Sequence, residues 1–153
     1  MPRVNPSWIW FWSMRLHERG WRRTAYALKM FNYVVFKCVL PPECRAAEPV
    51  QLLHRGLAVV VAPNTHFGRG VSMAHAVTIA AGHQDFLPQY RITVGDDVQI
   101  GTGVVVIAKR NQALRLGDRC ILAAGAVVTS DVDPDTIMAG PLATPLRPRG
   151  SSH

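Results

Sequence analysis

Four histidines fall within thirty residues of this chain: His54, His66, His75 and His83. An imidazole gains and loses its proton near neutral pH. Placed beside a bound hydroxyl, it is therefore suited to act as a general base in group transfer. A metal centre is the other common use of several histidines, and its ligands usually include a closely spaced pair. Nine residues separate His66 from His75 and eight separate His75 from His83, so that pattern is missing and no metal is expected. Asp85, two residues after His83, has the chemistry to orient an imidazole, although Asp is equally a turn residue.

The elements that must position these residues follow from a count. Large apolar residues recur every six positions at Val61, Phe67, Met73 and Ile79, again at Val94, Ile100 and Val106, and again at Leu116, Leu122 and Val128. Gly or Ala usually follows, as at Gly68, Ala74, Ala80, Gly95, Gly101, Gly117 and Ala123. A smaller residue suited to point inward lies four positions on, at Thr65, Val71, Val77, Val98, Val104, Cys120 and Ala126. No helix has period six, and a hairpin sheet would not restart in phase after each turn. Hexapeptide repeats of a β-solenoid do both, each unit giving one short strand and one corner. Two breaks interrupt the count. Ile79 to Val94 carries nine extra residues and Val106 to Leu116 carries four, and such insertions map to loops outside the solenoid.

Ahead of the repeats, residues 7–37 read as helical, with Trp8, Phe11, Trp12, Leu16, Leu28, Phe31 and Val35 at roughly helical spacing. Gly20 divides them into two helices, and Pro41-Pro42 ends anything helical. The expected organisation is a helical segment over 1–40, a β-solenoid domain over 41–149, and a tag remnant over 150–153.

The repeats resemble the hexapeptide-repeat acyltransferases, in particular the branch of serine acetyltransferases and polysaccharide O-acetyltransferases. "FNYVVFKCVLPPECRAA" is similar to the junction of helix and first coil in that branch, and "LLHRGLAVVVAPNTHFGRGVSMAHAVTIAAG" to its histidine-bearing coils. "VGDDVQIGTGVVV" and "LGDRCILAAGAVVTSDV" resemble its later coils, and "MAGPLATPLRPR" its closing segment. The resemblance implies a left-handed parallel β-helix, assembly as a homotrimer, and acyl transfer from acetyl-CoA to a hydroxyl in clefts between subunits.

By the same resemblance, His54 and His83 are the candidate catalytic bases. Ungapped alignment puts the family's histidines one residue further on, at Arg55 and Gln84. A corner histidine bonded to a backbone carbonyl is the structural alternative for His54, and a solvated loop histidine for His83. His75, Asp85, Tyr90 and Arg91 are candidate acceptor-binding residues, and His66 ranks below them. Gly101, Thr102, Ala124 and Gly125 lie where the family leaves room for the pantetheine arm, although tight corners ask for small residues anyway. Lys109, Arg110, Arg147 and Arg149 carry charge suited to the coenzyme's phosphates, or simply form a solvated edge.

Composition fits this reading. With 48% hydrophobic and 18% charged residues, the chain suits a globular domain and not a disordered one. Cys38, Cys44 and Cys120 form no CxxC pair and are odd in number, which suits buried thiols in a reducing, cytoplasmic setting. "VNPSWIWFWSM" is too short to span a bilayer and lacks the marks of a signal peptide.

The net charge of +7 is concentrated in residues 1–45, which hold eight basic residues against two Glu. With four Trp in the first 21 residues, these helices have the character of a peripheral membrane contact as well as of packing within a trimer. No nucleic-acid partner is expected. A sugar or glycan acceptor is expected ahead of serine, because an amino-acid ammonium wants a carboxylate and Leu53, not Asp, precedes His54. A metal lyase of carbonic anhydrase type and a non-catalytic structural subunit are the remaining alternatives.

Overall fold

The computed structural model describes residues 5–81 and 91–140. Two helices lead, α1 (Pro6–Glu18) and α2 (Arg22–Phe36), and they pack side by side as a hairpin. Asn5 caps α1 by accepting the Ser7 N–H at 2.9 Å, and Pro6 starts it with no amide to satisfy. Gly20, at φ +84°, makes the turn between the helices.

Among the described residues thirteen short strands follow and stack into three parallel sheets. Sheet I holds β1 (Arg45–Ala46), β4 (Thr65–Phe67), β7 (Ile92–Val94) and β10 (Leu114–Leu116). Sheet II holds β2 (Gln51–Leu52), β5 (Ser72–Met73), β8 (Gln99–Ile100), β11 (Ile121–Leu122) and β13 (Ile137–Met138). Sheet III holds β3 (Val60–Val61), β6 (Thr78–Ala81), β9 (Val105–Ala108) and β12 (Val127–Val128). The chain visits them in the order I, II, III and repeats, giving a triangular left-handed parallel β-helix.

The register explains the period of six. Val61 pairs with Ile79, Ile79 with Val106 and Val106 with Val128, so the counted residues form one inward column of sheet III. Phe67, Val94 and Leu116 do the same in sheet I, and Leu52, Met73, Ile100 and Leu122 in sheet II. All ten residues of the counted columns are buried, as are the seven smaller residues assigned inward. Three sides of six make an eighteen-residue coil, which is the step from Val61 to Ile79.

Corners turn on left-handed backbone. Ala58, Ala76, Gly103 and Gly125 form one column at the corner between sheets II and III, with φ between +56° and +71°. Gly70, Asp97, Arg119 and Asp135 form another between sheets I and II. At the latter corner Gly68 and Gly95 are needed for space: a Cβ would lie 2.3 Å from Asp96 Oδ1 and from Asp118 Oδ1 respectively. Those carboxylates accept the amides of Arg69 and Asp96 in the coil before their own, at 2.7 and 2.9 Å.

One feature was missed by counting from Val61. Leu52 to Val61 spans nine residues where a regular side takes six, so a third insertion precedes the two recognised in the sequence. Ala46 and Leu52, six apart and both stacked in the sheets, were the signal that would have located it. The extra residues lie within a left-handed turn, Leu53–Gly56, in which His54, Arg55 and Gly56 all have positive φ (51°, 58° and 65°). For His and Arg this backbone costs about 1–2 kcal/mol each.

Candidate active site

The strained turn places His54 at the corner between sheets II and III, exposed to solvent. His75 occupies the same corner one coil later, and the two rings meet edge to face with centroids 5.0 Å apart and planes at 87°. A backbone ladder fixes the corner: Ala76 N–H donates to Leu57 O at 2.8 Å, Gly103 N–H to His75 O at 3.2 Å, and Gly125 N–H to Thr102 O at 2.9 Å. His54, His75, Thr102 and Gly125 thus lie along one edge of the prism, drawn from four successive coils.

Two cavities meet at this edge. A groove of about 250 Å³ runs over the outer face of sheet II, lined by Ser72, Ala74, Gln99, Gly101, Thr102 and Ala123, with Leu53 also on its wall. A second cavity of about 450 Å³ opens between α1 and the start of sheet II, lined by Asn5, Ser7, Trp8, Gln51, Leu53 and His54. Leu53 borders both, which sets His54 beside their junction. Neither lining contains an Asp or Glu among the described residues.

The coenzyme candidates divide. Gly101 and Thr102 do line the groove. Gly101, however, lacks a side chain for stacking and not for ligand space, because a Cβ there would lie 2.8 Å from Ala124 N and from Leu122 O. Gly125 faces open space, as nothing would lie within 4 Å of its Cβ. Lys109 is exposed where β9 leaves sheet III, on the other side of that sheet from the groove, so a single chain does not bring it to Gly101 and Thr102. Ser72 and Gln99 on the groove, and Asn5, Trp8 and Gln51 in the second cavity, were not foreseen from the sequence. Only stacking of distant segments makes them neighbours.

His83, Asp85 and Tyr90, together with Arg147 and Arg149, lie outside the described residues. The strands flanking the first three are described: β6 ends at Ala81 and β7 begins at Ile92, at the corner between sheets III and I. That corner is one whole side of the triangle away from His54. Arg91 sits in sheet I surroundings, where its charge acts on His66. Burial, and after it the Arg91 and Arg45 guanidinium groups, push the His66 imidazole down to about 4. His66 lies on β4, away from the His54 corner, in a setting that keeps it neutral at physiological pH.

The three cysteines are buried free thiols, and burial pushes the Cys44 thiol well above its ordinary range. Among the described residues no group of three His, Cys, Asp or Glu is arranged to hold a metal ion. No helix there is long and apolar enough to cross a membrane.

No protein-family model matches the chain. Serine acetyltransferase 2 of Arabidopsis thaliana is 27% identical over 126 residues, covering 82% of this chain and 37% of the relative. Galactoside O-acetyltransferase of Escherichia coli is 32% identical over 82 residues, covering 54% of this chain and 37% of the relative. Among solved structures, serine acetyltransferase of Neisseria gonorrhoeae superposes with a TM-score of 0.76 at 26% identity, over 92% of this chain and 53% of that one. The chain therefore spans little more than a third of those relatives' length and about half of the solved chain. Other similar proteins are again mostly serine acetyltransferases.

Proposed function

We propose that this chain, a β-helix of the hexapeptide-repeat acyltransferase superfamily, is an acetyl-CoA-dependent O-acetyltransferase whose best-supported acceptor is the hydroxyl of serine. The observation that carries the reading is the position of His54 beside the junction of two cavities. In this reading the groove along sheet II, of about 250 Å³, takes the pantetheine arm, and the cavity beneath α1, of about 450 Å³, takes the acceptor. His54 removes the hydroxyl proton as the oxygen attacks the thioester carbonyl, and the resulting imidazolium returns a proton to the departing coenzyme A sulfur. His54 is preferred to Arg55 as the base on chemical grounds, since a guanidinium stays protonated whereas an imidazole exchanges its proton near neutral pH.

We assign the complete site to a homotrimer. His54 and the strand ends flanking residues 82–90 stand at different corners of one chain, and a neighbouring subunit's corner would bring the second to the first. His83, Asp85 and Tyr90 remain candidates for that contribution, and Lys109 and Arg147 for the coenzyme's phosphates. The exposed Trp12 and Trp21 on the helical hairpin suit contacts within the assembly or at an anionic membrane surface. Three free buried thiols favour a reducing, cytoplasmic setting.

A sugar hydroxyl is the second reading, and a specific observation favours it. No carboxylate among the described residues lines either cavity to meet an amino-acid ammonium, whereas Trp8, 54% exposed, offers a ring face with Asn5 and Gln51 nearby. Release of coenzyme A from acetyl-CoA, followed with a thiol reagent in the presence of serine and of a sugar panel, tests both. Turnover with serine supports the first reading and turnover with sugars alone the second. No release with any acceptor overturns the enzymatic assignment, and full activity in His54→Ala overturns the choice of base.

A further inference from the structure

A general base needs more than a place beside the hydroxyl. The ring nitrogen that takes the proton is fixed only if the other nitrogen has a partner that sets the tautomer and the ring orientation. A carboxylate often plays that part, but the cavity lined by His54 contains none among the described residues. His75 is the ring that His54 touches.

His75 has an unexplained feature of its own. Its Nδ1 is buried and has no hydrogen-bond partner among the described residues. A buried polar atom left unpaired calls for an explanation. The backbone around it is held on both sides, by Gly103 N–H on the His75 carbonyl and by Ala76 N–H on the Leu57 carbonyl. His54, in contrast, is exposed on a turn of three left-handed residues. One imidazole is anchored and carries an unpartnered nitrogen, while the other is at the surface and already in ring contact with it.

We propose that His75 is the positioning residue for His54: the Nδ1 lone pair of neutral His75 accepts the N–H of His54 and leaves the opposite His54 nitrogen free to take the acceptor's proton. The rings already meet with centroids 5.0 Å apart, and forming this N–H···N bond requires the His54 side-chain torsions to change from the edge-to-face arrangement. When His54 is protonated during transfer, both its nitrogens donate, and the bond to His75 persists. The left-handed turn at His54 and Arg55 then has a purpose, since it brings the chain back over the corner where His75 of the next coil stands.

This inference rests on the acetyltransferase reading for its catalytic consequence, but its structural core is testable without substrate. Nitrogen-15 NMR of the imidazoles separates the two tautomers. Wild-type protein is expected to hold His54 in a single tautomer. His75→Asn keeps an acceptor near the Nδ1 position and retains that tautomer, whereas His75→Phe keeps the ring but offers no acceptor and yields a mixture. His54→Ala should in turn shift the Nδ1 resonance of His75. If His54 shows the same tautomer in wild type and His75→Phe, or if His54→Ala leaves His75 Nδ1 unmoved, the pairing is wrong.

In the coenzyme A release assay, His75→Phe should lower kcat by about 10-fold to 100-fold, part of the roughly 10²–10⁴ a general base contributes, with KM for acetyl-CoA unchanged. His75→Asn should restore most of it. Equal losses in both variants would show that His75 merely packs. Absence of turnover in wild type would sink the enzymatic reading, while the NMR comparison would still decide the pairing.

Discussion

The indole of Trp10 meets the ring of Phe67 edge on, with centroids 5.5 Å apart, and its Nε1–H donates to Pro41 O at 2.8 Å. One side chain thus joins α1 to the second coil of the solenoid and to the proline segment that follows the helices. A solenoid end exposes apolar residues unless something covers it, and Trp10, fully buried, takes that role here.

Removing that ring should be costly. Trp10→Ala is expected to destabilise the fold by about 3–5 kcal/mol. Trp10→Phe, which keeps the ring contact but strands the Pro41 carbonyl, is expected to cost about 1–3 kcal/mol. Denaturant titration of the two variants gives the ordering, and a Trp10→Ala protein as stable as wild type would mean that α1 does not cover the solenoid end.

Gly95 should be just as intolerant, for a different reason. Its Cβ would lie 2.3 Å from Asp118 Oδ1, the atom that accepts the Asp96 amide. Gly95→Ala must displace the carboxylate or open the coil stack, at a cost of about 1–3 kcal/mol. Gly103→Ala meets no neighbour and strains only its positive φ, so it should cost less. Thermal melts of the pair compare close approach with backbone strain directly.

The groove on sheet II can be plugged from its floor. Ser72 points outward into it beside Gln99. Ser72→Trp should raise KM for acetyl-CoA by about tenfold or more, equivalent to roughly 1.4 kcal/mol of lost binding, while KM for the acceptor changes little. An unchanged KM for acetyl-CoA would place the pantetheine arm elsewhere.

His66 predicts a pH dependence whose sign follows from its environment. Burial first, and then Arg91 and Arg45, depress its folded pKa to about 4 from an ordinary 6.5. Between those values the unfolded chain binds the proton and the folded chain does not, so stability falls as pH drops from about 6.5 towards 4. His66→Gln should flatten that part of the profile. Urea midpoints at pH 7, 5.5 and 4.5, set against wild type, isolate the effect from the carboxylates, and identical slopes would show that His66 is not held neutral.

The architecture was legible in the chain because it is periodic. Every sixth apolar residue from Val61 to Val128 enters an inward column, and the small residues four positions later fill the corners, since a flat side of six admits no other phase. The first coil was read less well. Its three extra residues, taken up within the turn Leu53–Gly56, interrupt the beat before it is established, and left-handed backbone at His54 and Arg55 is not a propensity those residues advertise.

What only the tertiary structure decided is who meets whom across coils. His54 and His75 are separate positions in the chain, and nothing in either residue announces the other. Stacking one coil on the next, with three residues inserted between Leu52 and Val61, brings their rings to 5.0 Å. The same stacking gives Gly101 a packing reason in place of a ligand-binding one. Local periodicity determines a strand and a corner, but contact between coils depends on the summed length of everything between them, and that sum becomes visible only once the chain is wound.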